Sequence, residues 1–318
     1  MKTSFTKLLG IDYPIIMAPM FLVSNTKMIL AALNNGITAA IPALNFRTDE
    51  ELREAINEVK KASKKPFGVN LIVNKSNIRY KKQLETCVEL KVDFIITSLG
   101  NPKEVISLCK PVGIKVFCDV VDLDYAIKVE SLGADAVIAV NSEAGGHAGN
   151  MVAEVLIPIL IENLSIPVIS AGGIATGGQL KKTLKLGAQA VSIGTLFIAS
   201  PEAGVSDDYK NALVQYGAED VILTKNISGT PLTVINTPYM QKLGNKQGWL
   251  SKLLSRNKRF KKYIKMVIML RGMKSIKNAA NKPTYKTVWV AGPSIEHIHE
   301  IKPITEIINT LIKEYNES

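Results

Sequence analysis

Leu132-Gly133-Ala134-Asp135-Ala136-Val137-Ile138-Ala139-Val140 decides how the rest of the chain is read. A helical pattern ends on glycine and an apolar run begins three residues later, which marks a helix stop followed by a buried strand. The same phrase returns as Leu186-Gly187-Ala188-Gln189-Ala190-Val191. Two equivalent helix-to-strand turns point to one repeating unit. Outward from them, strand-like segments fall at residues 14–18, 38–41, 67–71, 93–97, 115–119, 136–140, 168–171 and 190–194. Helical patterns fill most gaps, at 26–34, 49–63, 78–91, 102–110, 122–132, 151–163 and 177–186. Strands alternating with helices predict an all-parallel sheet. Eight is also the number that closes a TIM-type (β/α)8 barrel.

Past residue 196 the alternation stops. Residues 207–216 read as a helix and 230–238 as a Pro-containing extended piece. Residues 249–271 show helical spacing of Trp249, Leu250, Leu253, Leu254, Phe260, Ile264 and Val267, and 304–315 form a last helix that would pack back on the barrel. The expected organisation is a barrel over 1–206, an inserted basic helical lobe over 207–286, and a closing segment over 287–318.

The net charge of +11 is unevenly spread. Residues 221–295 contain no Asp or Glu, and 240–286 carry 14 Lys or Arg, so the rest of the chain carries −3. Three uses of the basic lobe are open: a solvated face, an electropositive lid that draws in anionic substrates, or an amphipathic surface for anionic lipid. No nucleic-acid-binding motif accompanies the charge, so nucleic acid is not an expected partner. Cys87, Cys109 and Cys118 have neither disulfide nor metal-like spacing, which suggests a reducing compartment and a cytoplasmic protein. Asp12, Pro14 and Pro19 interrupt the first apolar stretch, so it reads as a strand and not as a signal peptide. No run reaches the ~20 apolar residues of a spanning helix, and no membrane contact is expected.

In such a barrel the working groups sit at the C-terminal strand ends. Ala18, Pro19 and Met20 follow the first strand, Asn70 ends the third, and Ser98 and Asp119 end the fourth and fifth. Met20 would wall a ligand. The Asn70 amide could both donate to and accept from a heterocycle edge. Asp119 has no partner evident in the sequence. The seventh and eighth strands end Ser170-Ala171-Gly172-Gly173-Ile174 and Ile193-Gly194-Thr195, where backbone N–H groups of Gly172, Gly173, Gly194 and Thr195 would bind a phosphate. After the sixth strand, Glu143-Ala144-Gly145-Gly146-His147-Ala148-Gly149 sets one of three histidines between glycine turns. Gly145 and Gly146 let the backbone approach a flat ligand. His147, with an ordinary pKa near ~6.5, can take a proton at neutral pH. An imidazole satisfied by a carbonyl of its own turn is the plain alternative.

These pieces resemble the nitronate monooxygenase family, the FMN-dependent barrels once called 2-nitropropane dioxygenases. The matching stretches are residues 14–20, Gly68-Val69-Asn70, Glu143 to His147, Ser170 to Ile174, Gly194 to Phe197, and Lys286-Thr287-Val288-Trp289-Val290-Ala291-Gly292, in the family's order. The resemblance implies FMN, with its phosphate on the Gly172-Gly173 and Gly194-Thr195 amides, beside Ala18, Pro19 and Ala171. It implies Met20 and Asn70 flanking the flavin ring and His147 facing the substrate. The implied reaction is oxidation of an alkyl nitronate by O2 to a carbonyl compound and nitrite, with His147 as base for a neutral nitroalkane. A homodimer is the assembly entertained. An FMN-dependent enoyl-acyl-carrier-protein reductase and an NAD(P)H:quinone reductase share much of the motif set. The chain departs from the family pattern at Val140-Asn141, where relatives often carry Gln-Gly, at Ser192 in place of Gln, and at Thr176-Gly177 in place of Asp-Gly. Glu143 reads as a loop anchor.

Overall fold

The computed structural model describes residues 1–74, 77–225, 227, 231–243 and 288–318. Its strands are β1 (Ile15–Met17), β2 (Thr38–Pro42), β3 (Gly68–Ile72), β4 (Phe94–Ser98), β5 (Lys115–Val120), β6 (Ala136–Val140), β7 (Gly146–His147), β8 (Val168–Ala171), β9 (Ala190–Ile193), β10 (Val221–Thr224) and β11 (Leu232–Ile235). β1 to β6, β8 and β9 form a closed barrel in chain order, and every pairing in it is parallel. β1 closes the ring against β9, with Ile15 opposite Val191 and Met17 opposite Ile193. The expected TIM barrel is the observed fold, and each predicted barrel strand is present within two residues of its expected ends.

The two repeat turns are equivalent in space. Gly133 and Gly187 adopt φ +97 and +103, the left-handed conformation that ends a helix on glycine. Asp135 and Gln189 then enter the sheet by donating their N–H to the carbonyls of Val116 and Val168.

Residues of one parity fill the barrel and those of the other face the helices, as the two-residue period of a strand dictates. Ile16, Ala40, Phe94, Ile96, Phe117, Ala136, Ile138, Ile169 and Ala190 make the inner core. The bottom is plugged by a helix the sequence reading had not separated, Ser4–Leu9, capped by Thr3, with Phe5 fully buried. Phe5 packs on Phe117 at 5.5 Å between ring centroids, and Phe117 stacks on Phe94 at 4.9 Å. Burying one such phenyl ring contributes about 1.5–3 kcal/mol. With the lower end filled, the open end is the one where the C-terminal strand tips meet.

β10, β11 and β7 form a small antiparallel sheet beside the barrel. Within 207–286 the described residues form a helix, Asp207–Gln215, then β10, β11 and the helix Pro238–Leu243. The basic helical stretch expected over 249–271 lies outside the described residues. The final helix, Ile304–Glu317, buries Ile304, Ile307, Ile308 and Leu311 and packs on the helices Thr26–Asn34 and Gly177–Lys185. Among the described residues no helix is long and apolar enough to cross a membrane.

Candidate active site

The barrel register brings the expected residues to one face. β8 and β9 end side by side, with Ala171 opposite Ser192, and Gly172, Gly173, Gly194 and Thr195 follow at the rim. Gly172 (φ +117) and Gly173 (φ +76) hold backbone conformations that favour glycine. Their surroundings leave no room for a side chain either. A Cβ on Gly172 would lie 2.2 Å from Asn141 Oδ1 and 2.6 Å from the Ala144 nitrogen, and one on Gly173 would lie 2.0 Å from Glu143 Oε2. Among the described residues the amides of Gly173, Gly194 and Thr195 donate to no protein acceptor. Thr195 also starts a short helix, Thr195–Ile198, whose first N–H groups are free by geometry.

Beside this rim stands the loop after β1. Ala18, Pro19 and Met20 are half-buried, and the Met20 sulfur approaches within 3.6 Å of where a Gly194 Cβ would stand. The loop is pinned from inside: Met20 N–H donates to Ser24 Oγ at 2.9 Å, and Asn45 takes the Leu22 N–H and gives its own amide to the Ser24 carbonyl.

Asn70 is buried at 7% exposure, and its amide Nδ2 donates to the Ile96 carbonyl at 3.1 Å and to Ser98 Oγ at 2.8 Å. A carbonyl can only accept, so the nitrogen must face β4 and both N–H groups are spent. The two-way donor and acceptor expected from sequence is therefore reduced to an acceptor, Oδ1. Ser98 donates its own proton to Asp119 Oδ2. Asp119 thus has a partner after all, on the neighbouring strand. Burial without a countercharge pushes its carboxyl up to about 6, against the opposing pull of the Ser98 hydrogen bond.

The loop after β6 lies over the same mouth, and Asn141 organises it. Fully buried, Asn141 donates from Nδ2 to the Gly172 carbonyl at 3.1 Å and accepts the Glu143 N–H at 2.8 Å, while its backbone carbonyl takes the N–H of Ala144 and Gly149. In the sequence this residue stands out only as a departure from the family pattern. β11 holds the loop from the other side: Leu232 pairs with His147 and Thr233 with Gly146, and the Thr233 hydroxyl reaches the Ala144 carbonyl at 2.6 Å. Gly145 sits against Gly292 and Thr195, where a Cβ would lie 2.9 Å from both the Gly292 nitrogen and Thr195 Oγ1. Thr195 Oγ1 accepts the Gly292 N–H at 3.0 Å in a buried bond. The strap around Gly292 is fixed further by Tyr209, whose hydroxyl donates to the Val290 carbonyl at 2.6 Å, and by the Ile235 N–H on the Trp289 carbonyl.

His147 is exposed at the end of β7, and desolvation by the protein packed around it holds its pKa below the ordinary imidazole value. It is therefore neutral at pH 7 and able to accept a proton. The face as a whole offers free amides for an anion, an apolar wall, one oriented acceptor and one neutral base.

The nitronate monooxygenase family model matches residues 2–314. FabK from Thermotoga maritima superposes with a TM-score of 0.87 at 33% identity, covering 100% of this chain and 97% of that one. A (3aS,4S,5R,7aS)-5-hydroxy-7a-methyl-1-oxo-octahydro-1H-indene-4-carboxyl-CoA dehydrogenase of Rhodococcus jostii is 30% identical over 251 residues, 78% of this chain and 70% of that protein. A probable nitronate monooxygenase of Staphylococcus aureus is 29% identical over 291 residues, 78% of this chain and 82% of that protein. Barrel, rim and full-length match agree, and the chain belongs to the nitronate monooxygenase family of flavin oxidoreductases.

Proposed function

We propose that this protein is an FMN-dependent, cytoplasmic nitronate monooxygenase that oxidises alkyl nitronates with O2 to a carbonyl compound and nitrite. The observation that carries the reading is the pairing of a free-amide rim with a neutral, solvent-reached His147 on the neighbouring loop of one barrel mouth. The residues fit a phosphate-bearing, planar cofactor. The amides of Gly173, Gly194 and Thr195 would hold the phosphate, with Ala171 and Gly172 shaping the floor beside them. Ala18, Pro19 and Met20 would wall the ring, Gly145 and Gly146 would let the backbone close on it, and Asn70 Oδ1 would accept from an N–H of its edge. Bound there, FMN would supply one-electron chemistry toward O2, which side chains lack.

The chain's own part is proton handling and orientation. The unprotonated ring nitrogen of His147 takes the α-proton of a neutral nitroalkane, and the resulting imidazolium stabilises the nitronate anion. A substrate that arrives already ionised needs only the second role. Glu143 would serve as a loop anchor; its backbone N–H donates to Asn141 Oδ1. A small nitronate and O2 are then the partners, with no nucleic acid and no membrane involved; the homodimer is retained as the assembly.

A second reading has its own support. FabK and the indene-4-carboxyl-CoA dehydrogenase are as similar to this chain as the monooxygenase is, and 14 basic residues without an acid over 240–286 suit an acidic carrier or a polyphosphate. That reading makes the protein a flavin-dependent enoyl-thioester reductase. Anaerobic mixing decides between the two. Bleaching of the bound flavin by a nitronate, with nitrite released on admitting air, supports the monooxygenase; bleaching by NADH or NADPH alone supports the reductase. The His147→Ala protein is expected to keep its flavin and lose turnover of neutral nitroalkanes, and full activity in that variant refutes the base role.

A further inference from the structure

The hydrogen-bonded row Asn70, Ser98, Asp119 crosses three adjacent strand ends, β3, β4 and β5, on the side of the mouth away from the free amides. All three side chains belong to the inward-facing parity of the barrel. A structural hydrogen bond between neighbouring strands needs no carboxylate, and a half-buried carboxylate with no cation beside it carries a desolvation cost. A carboxylate placed there calls for a task.

We propose that Asp119, acting through Ser98, is a positioning residue that locks the Asn70 amide so that its carbonyl oxygen is offered to the mouth as a fixed acceptor. The ligand at that point must then bring an N–H or an O–H. The inference rests on the reading that the mouth binds a flavin, whose ring edge carries such donors. The direction of each bond enforces the lock. Asp119 Oδ2 is an acceptor and takes the Ser98 proton. Ser98 Oγ is thereby left with lone pairs only toward Asn70, and Asn70 must turn its NH2 to it. The Ile96 carbonyl repeats the same demand from a second direction. Neutralising Asp119 loosens the first link, because a protonated carboxyl competes as a donor for the Ser98 lone pairs.

The titratable groups facing Asp119 are Cys118 beside it and Tyr125 on the next helix, Leu123–Ser131. Burial pushes both up, Cys118 to about 12, so neither changes charge between pH 5 and 8. Neither Lys nor Arg offsets Asp119 among the described residues. His147, whose pKa burial lowers, is unchanged in variants altered only on β4 or β5 and contributes equally to all of them.

The test is FMN binding by full-length apo-protein, read from quenching of flavin fluorescence from pH 5 to 8, for the wild type, Ser98→Ala, Ser98→Thr and Asp119→Asn. Ser98→Ala removes the link and is expected to weaken FMN binding about tenfold at pH 7, the scale of one oriented hydrogen bond. Ser98→Thr keeps the hydroxyl and restores binding. The wild type should weaken as pH falls through about 6, where Asp119 takes a proton. Asp119→Asn, neutral and carrying a donor like the protonated carboxyl, should bind at pH 7 about as weakly as the wild type does below pH 6 and lose that part of the pH dependence. Circular dichroism on each sample confirms that the compared proteins are folded. Equal binding by all four proteins at every pH overturns the relay alone. A wild type that takes up no FMN overturns the flavin reading, and this inference falls with it.

Discussion

Gly172→Ala should cost more than any other single methyl group added at the rim. Gly172 sits at φ +117, and a side chain there carries about 1–3 kcal/mol of backbone strain. The added carbon would also stand 2.2 Å from Asn141 Oδ1, 2.6 Å from the Ala144 nitrogen and 2.9 Å from the Ala144 Cα. Two of those atoms are backbone. Ala144 cannot retreat, because its N–H is held by the Asn141 carbonyl and its carbonyl by the Thr233 hydroxyl. Overpacking against fixed atoms costs about 1–3 kcal/mol more. The combined loss is about 2–6 kcal/mol, read as a lowered midpoint in urea unfolding followed by far-UV circular dichroism. Gly178→Ala is the matched control. Gly178 lies in the first turn of the helix Gly177–Lys185, its conformation is not left-handed, and an added Cβ would meet only Ser318 Oγ at 3.7 Å and Thr176 Oγ1 at 3.9 Å. That change should be neutral or stabilise by about 0.5 kcal/mol. The Gly172→Ala protein, studied below its midpoint, should also bind FMN more weakly, since the clash displaces the Asn141 anchor. Stability within about 1 kcal/mol of wild type, together with unchanged FMN uptake, would falsify the account of the rim.

Two further outcomes follow from the same geometry. Thr195→Val keeps the branched shape but leaves the buried Gly292 N–H without its acceptor, a loss of about 1–3 kcal/mol, whereas Thr195→Ser should stay near wild type; equal melting temperatures for all three would count against the strap. For His147 the folded pKa lies below the unfolded one, so its contribution to stability is complete above the unfolded value and is lost as pH falls through the folded value. Wild-type stability should therefore decline on acidification below about pH 6.5 more steeply than that of His147→Gln, and parallel pH curves would show that folding does not lower the imidazole pKa.

The barrel was readable because its evidence is local and repeated. Gly133 and Gly187 each stop a helix three residues before a strand, and the intervals between apolar runs repeat the pattern. The rim glycines and His147 were readable for a related reason, since each adjoins a strand end whose position the repeat supplies. What escaped the sequence depends on register and on contacts between distant segments. Ser98 and Asp119 are 21 residues apart, and only the alignment of β4 with β5 makes them partners. Asn141 looks like a polar residue after a strand until Gly172 is placed beside it. β7 is two residues long and exists only because β11 runs past it, so no periodicity could announce it. The helix Ser4–Leu9 is too short to show a face, and its role is set by the open barrel floor that Phe5 enters.

The seam between β1 and β9 joins residues about 180 positions apart. On a ribosome making about 5–20 residues per second, the first strand emerges roughly 10–35 s before its closing neighbour exists. Through that interval Ile15, Ile16 and Met17 present an unpaired apolar edge, and the plug at Phe5 has no floor to enter. The nascent chain thus passes through an obligatory sticky stage, which makes yield in the cell a matter of chaperone supply and elongation speed as much as of final stability.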